Sequence, residues 1–548
     1  MADAPLSVSD ALDRVVGTSV SANGGIGSST TVRVRGLDGK YLGVRIDGID
    51  VTDPSAPQTQ FDFGGLTGVG LGRIEVVKGS QSALYGSEAV GGVIDISTFE
   101  LREDGSTTRL GLEAGSFGTI SGTIGHAIRS GSTALSFNLS KIDVDGFSAR
   151  PSDTEDDGFS QTFFTAKGET EIAEGVIVGG SLLYRDAEIE IDRSATDSSG
   201  ENLSLQRAGR VYTGFDAFGI EHELSFSSFD VERRDPGGFT SEFNGDRTQL
   251  AYLGTTNVRI GTLSFGLDRT RESFSTTAEN GVSVTQSGLI ELLTQPSDNT
   301  DLALSLRYDD NDDFGGTVSG RVALTWRVLP DTTIRAVVGN GFRAPSLFER
   351  FSAFGDPNLD VEESRSVELG FEKRWGTGHV EATIFYSEID DLIGFDGASV
   401  ACGSGFGCFN QVPGTTVSQG LELASEAELG DDLTVFGTYT YTDAKTDGVR
   451  LPRVPRHDLL VGIEGQIFDR LSGTATATYV ADVEPSAFAP ANNKVGDYTV
   501  FGAGLSYAVT DDAEAYVRVE NLFDEDYETA GGFNTPDRSF YAGVRAQF

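Results

Sequence analysis

The stretch Arg73–Ser97 reads RIEVVKGSQSALYGSEAVGGVIDIS. Arg73–Val77 has the composition of a short strand, Gly79-Ser80 is a turn, and Ser82–Tyr85 is enough for one helical turn. Gly91 and Gly92 then loosen the backbone ahead of a second apolar strand, Val93–Ile96. Such a sequence belongs to a small α+β domain. The far end of the chain has a different texture. Phe540, Ala542, Val544, Ala546 and Phe548 fall on one face of an extended segment, and Tyr541, Gly543, Arg545 and Gln547 fall on the other.

The first texture extends over residues 1–99. Ser7, with Asp10 three residues later, has capping-box spacing, and Val8, Leu12 and Val15 share one helical face. Thr31–Arg35, Val44–Ile49, Arg73–Val77 and Val93–Ile96 are expected to form one small mixed sheet.

Over residues 100–548 the second texture takes over. Leu135, Phe137 and Leu139 alternate with Ser136, Asn138 and Ser140, and Leu302, Leu304, Leu306 and Tyr308 with Ala303, Ser305 and Arg307. Val380, Ala382, Ile384 and Tyr386 alternate with Glu381, Thr383 and Phe385 in the same way. Strands of this kind, at intervals of roughly 20 residues over roughly 450, would need an improbably large soluble sandwich. A membrane barrel uses them differently, with apolar residues facing lipid and polar residues facing the lumen, and it closes every strand edge as a bilayer demands. The division gives on the order of 22 strands, enough to enclose a folded domain. The expected fold is therefore an all-β membrane protein: an antiparallel transmembrane β-barrel of about 22 strands, occluded by an N-terminal α+β plug.

Composition agrees. The 548 residues carry 83 acidic against 41 basic side chains, a net charge of −42, which excludes nucleic acid as a partner. No apolar run reaches the roughly 18 residues of a membrane helix. The mean hydropathy of −0.17 is blind to strands that hide an apolar residue at every second position. The opening MADAPLSVSD has neither a basic nor an apolar leader region. A leader is therefore expected to have been removed or to lie outside this chain. Cys402 and Cys408 bracket CGSGFGC; their spacing does not fit a zinc site, and a local disulfide in an oxidising compartment is expected, with a redox-active pair as the alternative.

Several segments carry a family pattern. In the first domain these are Val32-Arg33-Val34-Arg35-Gly36, Ile46-Asp47-Gly48 and Arg73–Ser97; in the barrel, NGFRAPSLFERFSAFGDPNLDVEES (Asn340–Ser364), NLFDEDYET (Asn521–Thr529) and the closing Phe548. The chain resembles the TonB-dependent outer-membrane receptors, most nearly the cobalamin transporter type. The resemblance implies an integral barrel in the Gram-negative outer membrane. It also implies a small-molecule or metal-chelate ligand bound from outside, and a plug rearranged by the TonB–ExbB–ExbD energising complex. Family members carry a TonB box ahead of the first plug helix. Here only six residues precede it, and no such box is visible, so an uncoupled surface-binding protein or passive pore is the reading from another class.

The resemblance also nominates residues. Arg33, Arg35 and Arg73 lie in plug strands inside a polar barrel, where buried arginine needs a carboxylate; they are expected to lock the plug to acids of the wall. The loop IDVTDPSAPQTQ (Ile49–Gln60) corresponds to the family's substrate-touching apex, with Asp53, Ser55, Gln58 and Gln60 as polar contacts and Pro54 and Pro57 as stiffeners. No cofactor is required, but calcium is a candidate ligand. The acidic stretches Asp153–Gly158, Asp186–Asp192 and Asp230–Asp235 offer Asp156, Asp157, Asp186, Asp192, Asp230 and Asp235 to a hard cation. The opposing reading of each stretch is a solvated loop.

Among ligands, cobalamin is preferred and a ferric siderophore is the alternative. Haem receptors share the Phe342–Pro345 and Pro357–Leu359 pattern but place a histidine between, and Leu347–Gly355 has none. Catalysis is not expected. His457 and Asp458 are adjacent, which sends them to opposite faces of a strand, and no nucleophile motif accompanies them.

Overall fold

The computed structural model describes residues 7–68, 70–194, 199–430, 432–485 and 495–548. Twenty-two long strands, from Gly105–Gly115 to Ser539–Gln547, pair antiparallel in chain order and close into one barrel. Closure sets Tyr541 opposite Gly115 and Gln547 opposite Arg109. The terminal residue completes the seam: the Thr108 N–H donates to the Phe548 carbonyl at 2.7 Å, and the Phe548 N–H to the Thr108 carbonyl at 3.0 Å.

Side chains divide as the alternation requires. Leu135, Phe137 and Leu139 are exposed on the outside, while Ser136, Asn138 and Ser140 are buried within. Leu304, Leu306 and Tyr308 face out, against Ser305, Arg307 and Asp309 facing in. Phe540, Val544 and Phe548 belong to the outer face and Tyr541 to the inner. Tight turns join the strands at one end. Gly200–Ala217 passes to Ile220–Arg234 through Phe218 and Gly219, both at positive φ (55° and 76°), the pairing that matches strand twist. The opposite end carries the long connections 148–156, 344–361, 391–415 and 521–538, which mark it as external.

Within the described residues, the first plug helix is Val8–Leu12. The Ser7 hydroxyl accepts the Asp10 N–H at 3.1 Å, and the Asp10 carboxylate accepts the Ser7 N–H at 3.2 Å, closing the expected capping box. The mixed sheet runs Ile49–Asp50, Leu42–Ile46, Gly92–Thr98, Leu71–Lys78, with its two central strands parallel. It differs from the expected sheet in two ways. Thr30–Val34 leaves it to pair with Thr18–Ala22, because Arg35 and Gly36 both take positive φ (53° and 74°) and turn the chain aside. The expected strand Val44–Ile49 is cut at Asp47-Gly48 (φ 47° and 79°), and Ile49–Asp50 folds back as the sheet edge.

The plug core is continuous with the wall. Val8, Leu12, Val32, Val44, Ile94 and Ile96 pack in one cluster with the inward-facing wall residues Phe163, Leu183, Phe229 and Val231. At these four positions the lumen-facing side of the wall is apolar. The plug is thereby held by hydrophobic burial as well as by polar contacts.

Candidate functional site: plug apex, wall locks and external loops

Ion pairs join plug to wall on several sides. Arg35 donates two hydrogen bonds to Glu422, at 2.8 and 3.1 Å, and pairs with Glu368 at 2.9 Å. Lys78 reaches the same Glu422 at 2.9 Å and also donates to the Val16 carbonyl. Glu422 is 4% exposed at its side chain, so one wall carboxylate bridges two plug cations in a water-poor site, and together with Glu368 the wall acids balance their two charges. Burial holds the Lys78 ammonium below its ordinary range, against the pull of Glu422.

The polarity reverses near the apex, where the wall supplies bases and the plug acids. Arg247 donates to Asp50 at 2.9 Å and to Glu272 of the wall at 2.7 Å. Arg233 pairs with Asp53 at 2.7 Å, and, further from the apex toward the tight-turn end, Lys167 pairs with Asp47 at 3.2 Å. Glu88 of the plug adjoins the Arg247 group; burial, and then the Glu272 carboxylate, push its carboxyl up to about 8.

Of the three arginines proposed as locks, Arg35 alone is paired with the wall. Arg33 donates to Ser21 at 2.7 Å and pairs with Asp38 at 3.6 Å, both within the plug, because its side chain lies along the Thr18–Ala22 hairpin. Arg73 is 56% exposed and pairs with Glu75 two residues along the same strand face. Glu368, Glu422, Lys78 and the wall arginines escaped sequence reasoning, since an alternating strand offers many inward charges and only register selects among them.

The apex loop is docked under the external hairpin Asn340–Ser364. Gln58 donates to Glu349 at 3.2 Å, and the Ser346 hydroxyl donates to the Pro57 carbonyl at 2.8 Å. Glu349 belongs to the short helix Leu347–Phe351, where it forms a capping box with Ser346. Arg343 is fully buried between Glu349 at 2.9 Å and Glu362 at 2.6 Å, and Lys40 of the plug approaches Glu362 at 3.4 Å. The Ser346–Glu349 spacing was legible in the sequence as a cap signal. Among the four expected contacts, Asp53 and Ser55 are buried and bonded to each other, the Asp53 carboxylate accepting both the Ser55 N–H and its hydroxyl at 2.7 Å. Gln58 and Gln60 stay partly exposed, beside the exposed Pro57.

Above the apex the external loops present aromatic rings. Phe239, 86% exposed, lies 6.1 Å from Phe354 and 6.4 Å from Phe406, drawing together loops 235–241, 344–361 and 391–415. Cys402 and Cys408 are bonded at 2.05 Å and fix the hairpin tip that carries Phe406.

A separate acidic group sits where loop 148–156 meets the end of Val176–Ile191. Asp153, Glu155 and Asp192 bring carboxylate oxygens within 4.8 Å of one another. Both Asp192 oxygens, one oxygen of Glu155 and one of Asp157 are buried without a hydrogen-bond partner, while the other Asp157 oxygen accepts the Ala149 N–H at 2.6 Å. Burial, and then Asp157, Asp192 and Asp153, push the Glu155 carboxyl up to about 7. Such a set of hard oxygens suits a divalent cation. The other nominated acids lie elsewhere. Asp156 is exposed, Asp186 accepts the Tyr184 hydroxyl on the outer face, Asp230 pairs with the exposed Arg207, and Asp235 is held by Arg193 at 2.5 Å. Strand parity sends Asp186 outward, away from the inward Arg185 and Ala187.

Residues 102–522 match the family model described as "TonB dependent receptor-like, beta-barrel", and residues 2–93 match "TonB-dependent Receptor Plug Domain". The chain belongs to the TonB-dependent receptor family. The family is one of outer-membrane transporters and receptors, which places this chain in the outer membrane, and it implies an energising partner. This TonB-dependent receptor is 28% identical to a vitamin B12 transporter, BtuB, of Photobacterium profundum, over 99% of this chain and 90% of that protein. It is 24% identical to the protein of the same name from Vibrio cholerae serotype O1, over 98% and 89%. Among solved structures it resembles the siderophore receptor PirA of Acinetobacter baumannii, with a TM-score of 0.83 at 16% identity, over 99% of this chain and 96% of that one. The expectation about a TonB box concerns residues 1–6, outside the described residues.

Proposed function

We propose that this receptor captures cobalamin at its external face and admits it through partner-driven rearrangement of the plug. The observation that carries the reading is the nearly full-length similarity to vitamin B12 transporters, which spans both plug and barrel. The geometry suits it. Gln58 and Gln60 offer amide groups on a floor where Asp53 and Ser55 stiffen the loop from beneath. Calcium, held by Asp153, Glu155 and Asp192 with Asp157 beside them, would neutralise carboxylates whose oxygens otherwise lack partners and would tie loop 148–156 to the neighbouring strand. Uptake would follow when the TonB–ExbB–ExbD complex loosens the plug, an element joined to the wall by separable contacts.

A ferric siderophore is the second reading. The exposed rings of Phe239 and Phe406 give the mouth an apolar, π-rich rim suited to an aromatic chelate. Calorimetry on the detergent-solubilised protein separates the two. Cyanocobalamin should bind tightly with calcium and more weakly after chelation. An absence of binding in both states, with heat on adding a ferric catecholate, transfers the assignment to the siderophore reading and reduces the acidic group to a solvated loop.

A further inference from the structure

The backbone ladder of the barrel is interrupted between two neighbouring strands. Gly315–Leu329 and Thr332–Arg343 pair from Leu329 opposite Thr332 as far as Arg321 opposite Gly339, and the rungs stop there. Each strand keeps its other neighbour, Gly315 and Gly320 lying opposite Asn311 and Leu306, and Asn340 and Arg343 opposite Arg365 and Glu362. Side chains replace the lost rungs. The Gly320 N–H donates to the Asn340 side-chain oxygen at 2.8 Å, and the Asn340 amide donates to the Val318 carbonyl at 2.8 Å. From within, the hydroxyl of the plug residue Ser80 donates to the Asn340 carbonyl at 2.9 Å.

A groove of about 950 Å³ overlies this seam on the lipid face. Gly320 leaves its floor without a side chain, and Leu304, Leu306, Val322, Val338 and Val367 form its sides, all five exposed. Its rim toward the external end is polar. There Tyr386 donates to Glu388 at 2.8 Å, and Arg365 stands 3.9 Å from the same carboxylate. The groove thus runs across the lipid-facing band from Leu263, near a tight turn, to this rim, apolar below and polar above.

We propose that this groove binds one acyl chain of a membrane lipid as a fixed part of the wall, with the polar end of that lipid at the Asn340–Arg365–Glu388 rim. The groove is continuous with the lipid-facing surface, so hydrocarbon is the solvent that meets it. Lining atoms facing a void forfeit dispersion contacts that a chain restores. A chain also keeps water from the Gly320–Asn340 and Asn340–Val318 bonds, which substitute for backbone pairing at membrane depth.

The test uses the full-length receptor in vesicles of phosphatidylethanolamine and phosphatidylglycerol, with a trace of phosphatidylethanolamine carrying a diazirine on one acyl chain. Wild type is compared with Gly320→Leu, whose added Cβ meets nothing closer than 3.6 Å and whose side chain fills the floor. Both proteins must first run as the compact unheated barrel on a gel. After irradiation, adducts on the Leu304–Leu306 and Val322 peptides should exceed those on the outward Leu182 and Leu250 by at least about fivefold, the preference of a site worth about 1 kcal/mol. Gly320→Leu should erase that excess. Even labelling of all lipid-facing strands, or an excess that survives Gly320→Leu, overturns the proposal. Val322→Trp closes the groove from its side and gives the same comparison should Gly320→Leu fail to assemble.

Discussion

Replacing Glu422 by glutamine should loosen the plug without opening the barrel. Glu422 accepts two hydrogen bonds from Arg35 and one from Lys78, and all three side chains are largely buried. Breaking a buried ion pair from one side costs about 3–5 kcal/mol, because the remaining charge stays buried and uncompensated. Arg35 keeps Glu368 at 2.9 Å, whereas Lys78 loses the carboxylate it pairs with, so the lower figure of about 3 kcal/mol applies. That corresponds to a local opening equilibrium shifted on the order of 100-fold. Hydrogen exchange read by mass spectrometry is the assay. Amides of Thr30–Val34 and Leu71–Lys78 should exchange on the order of 100-fold faster in Glu422→Gln, while barrel strands remote from the plug keep their rates. Arg73→Ala is the internal control; its exposed pair with Glu75 is worth about 0.5 kcal/mol, so exchange should change by roughly twofold. Plug exchange in Glu422→Gln that matches the Arg73→Ala control would refute the lock.

Other outcomes follow from the same geometry. Glu88 titrates near 8 in the docked plug, above its value of 4.5 in water, so the docked state carries the extra proton. Plug attachment should therefore weaken as pH rises from about 4.5 to about 8 and then level off, and Glu88→Gln should flatten that slope in hydrogen exchange. Calcium bound as proposed would compete with the proton on Glu155, whose carboxyl is pushed up to about 7, so calcium affinity measured by calorimetry should fall about tenfold from pH 8 to pH 6, and Glu155→Gln should lose most of that dependence. Gln58→Ala removes an amide that the proposed site offers to the ligand, worth about 1 kcal/mol, and should weaken cyanocobalamin binding about fivefold.

Much of the candidate site was visible as segments before it was visible as contacts. The hairpin Asn340–Ser364 and the apex loop Ile49–Gln60 stand out in the sequence, and they do meet, through Gln58, Glu349 and the Pro57 carbonyl. Arg35 was singled out for a wall acid and has two. Arg33 and Arg73 carry the same residue type in the same kind of strand, yet they pair inside the plug. The acidic stretches show the same division: Asp192 joins Asp153 and Glu155, whereas Asp186 points to the outer face.

Features that repeat locally are written in the chain itself. A two-residue alternation assigns each strand an outer and an inner face, and the closing Phe548 completes that pattern. Ser7 and Asp10 mark a helix start because a cap acts over three residues. Which charges meet was settled by the three-dimensional assembly. Arg35 and Glu422 are separated by 387 residues, and they are neighbours only because the barrel closes with one register and the plug sits at one rotation inside it. Shifting a strand by one residue would exchange its faces, so local pattern fixes parity. Shifting it by two preserves parity and changes every partner across the lumen, and only the closed assembly selects among such registers.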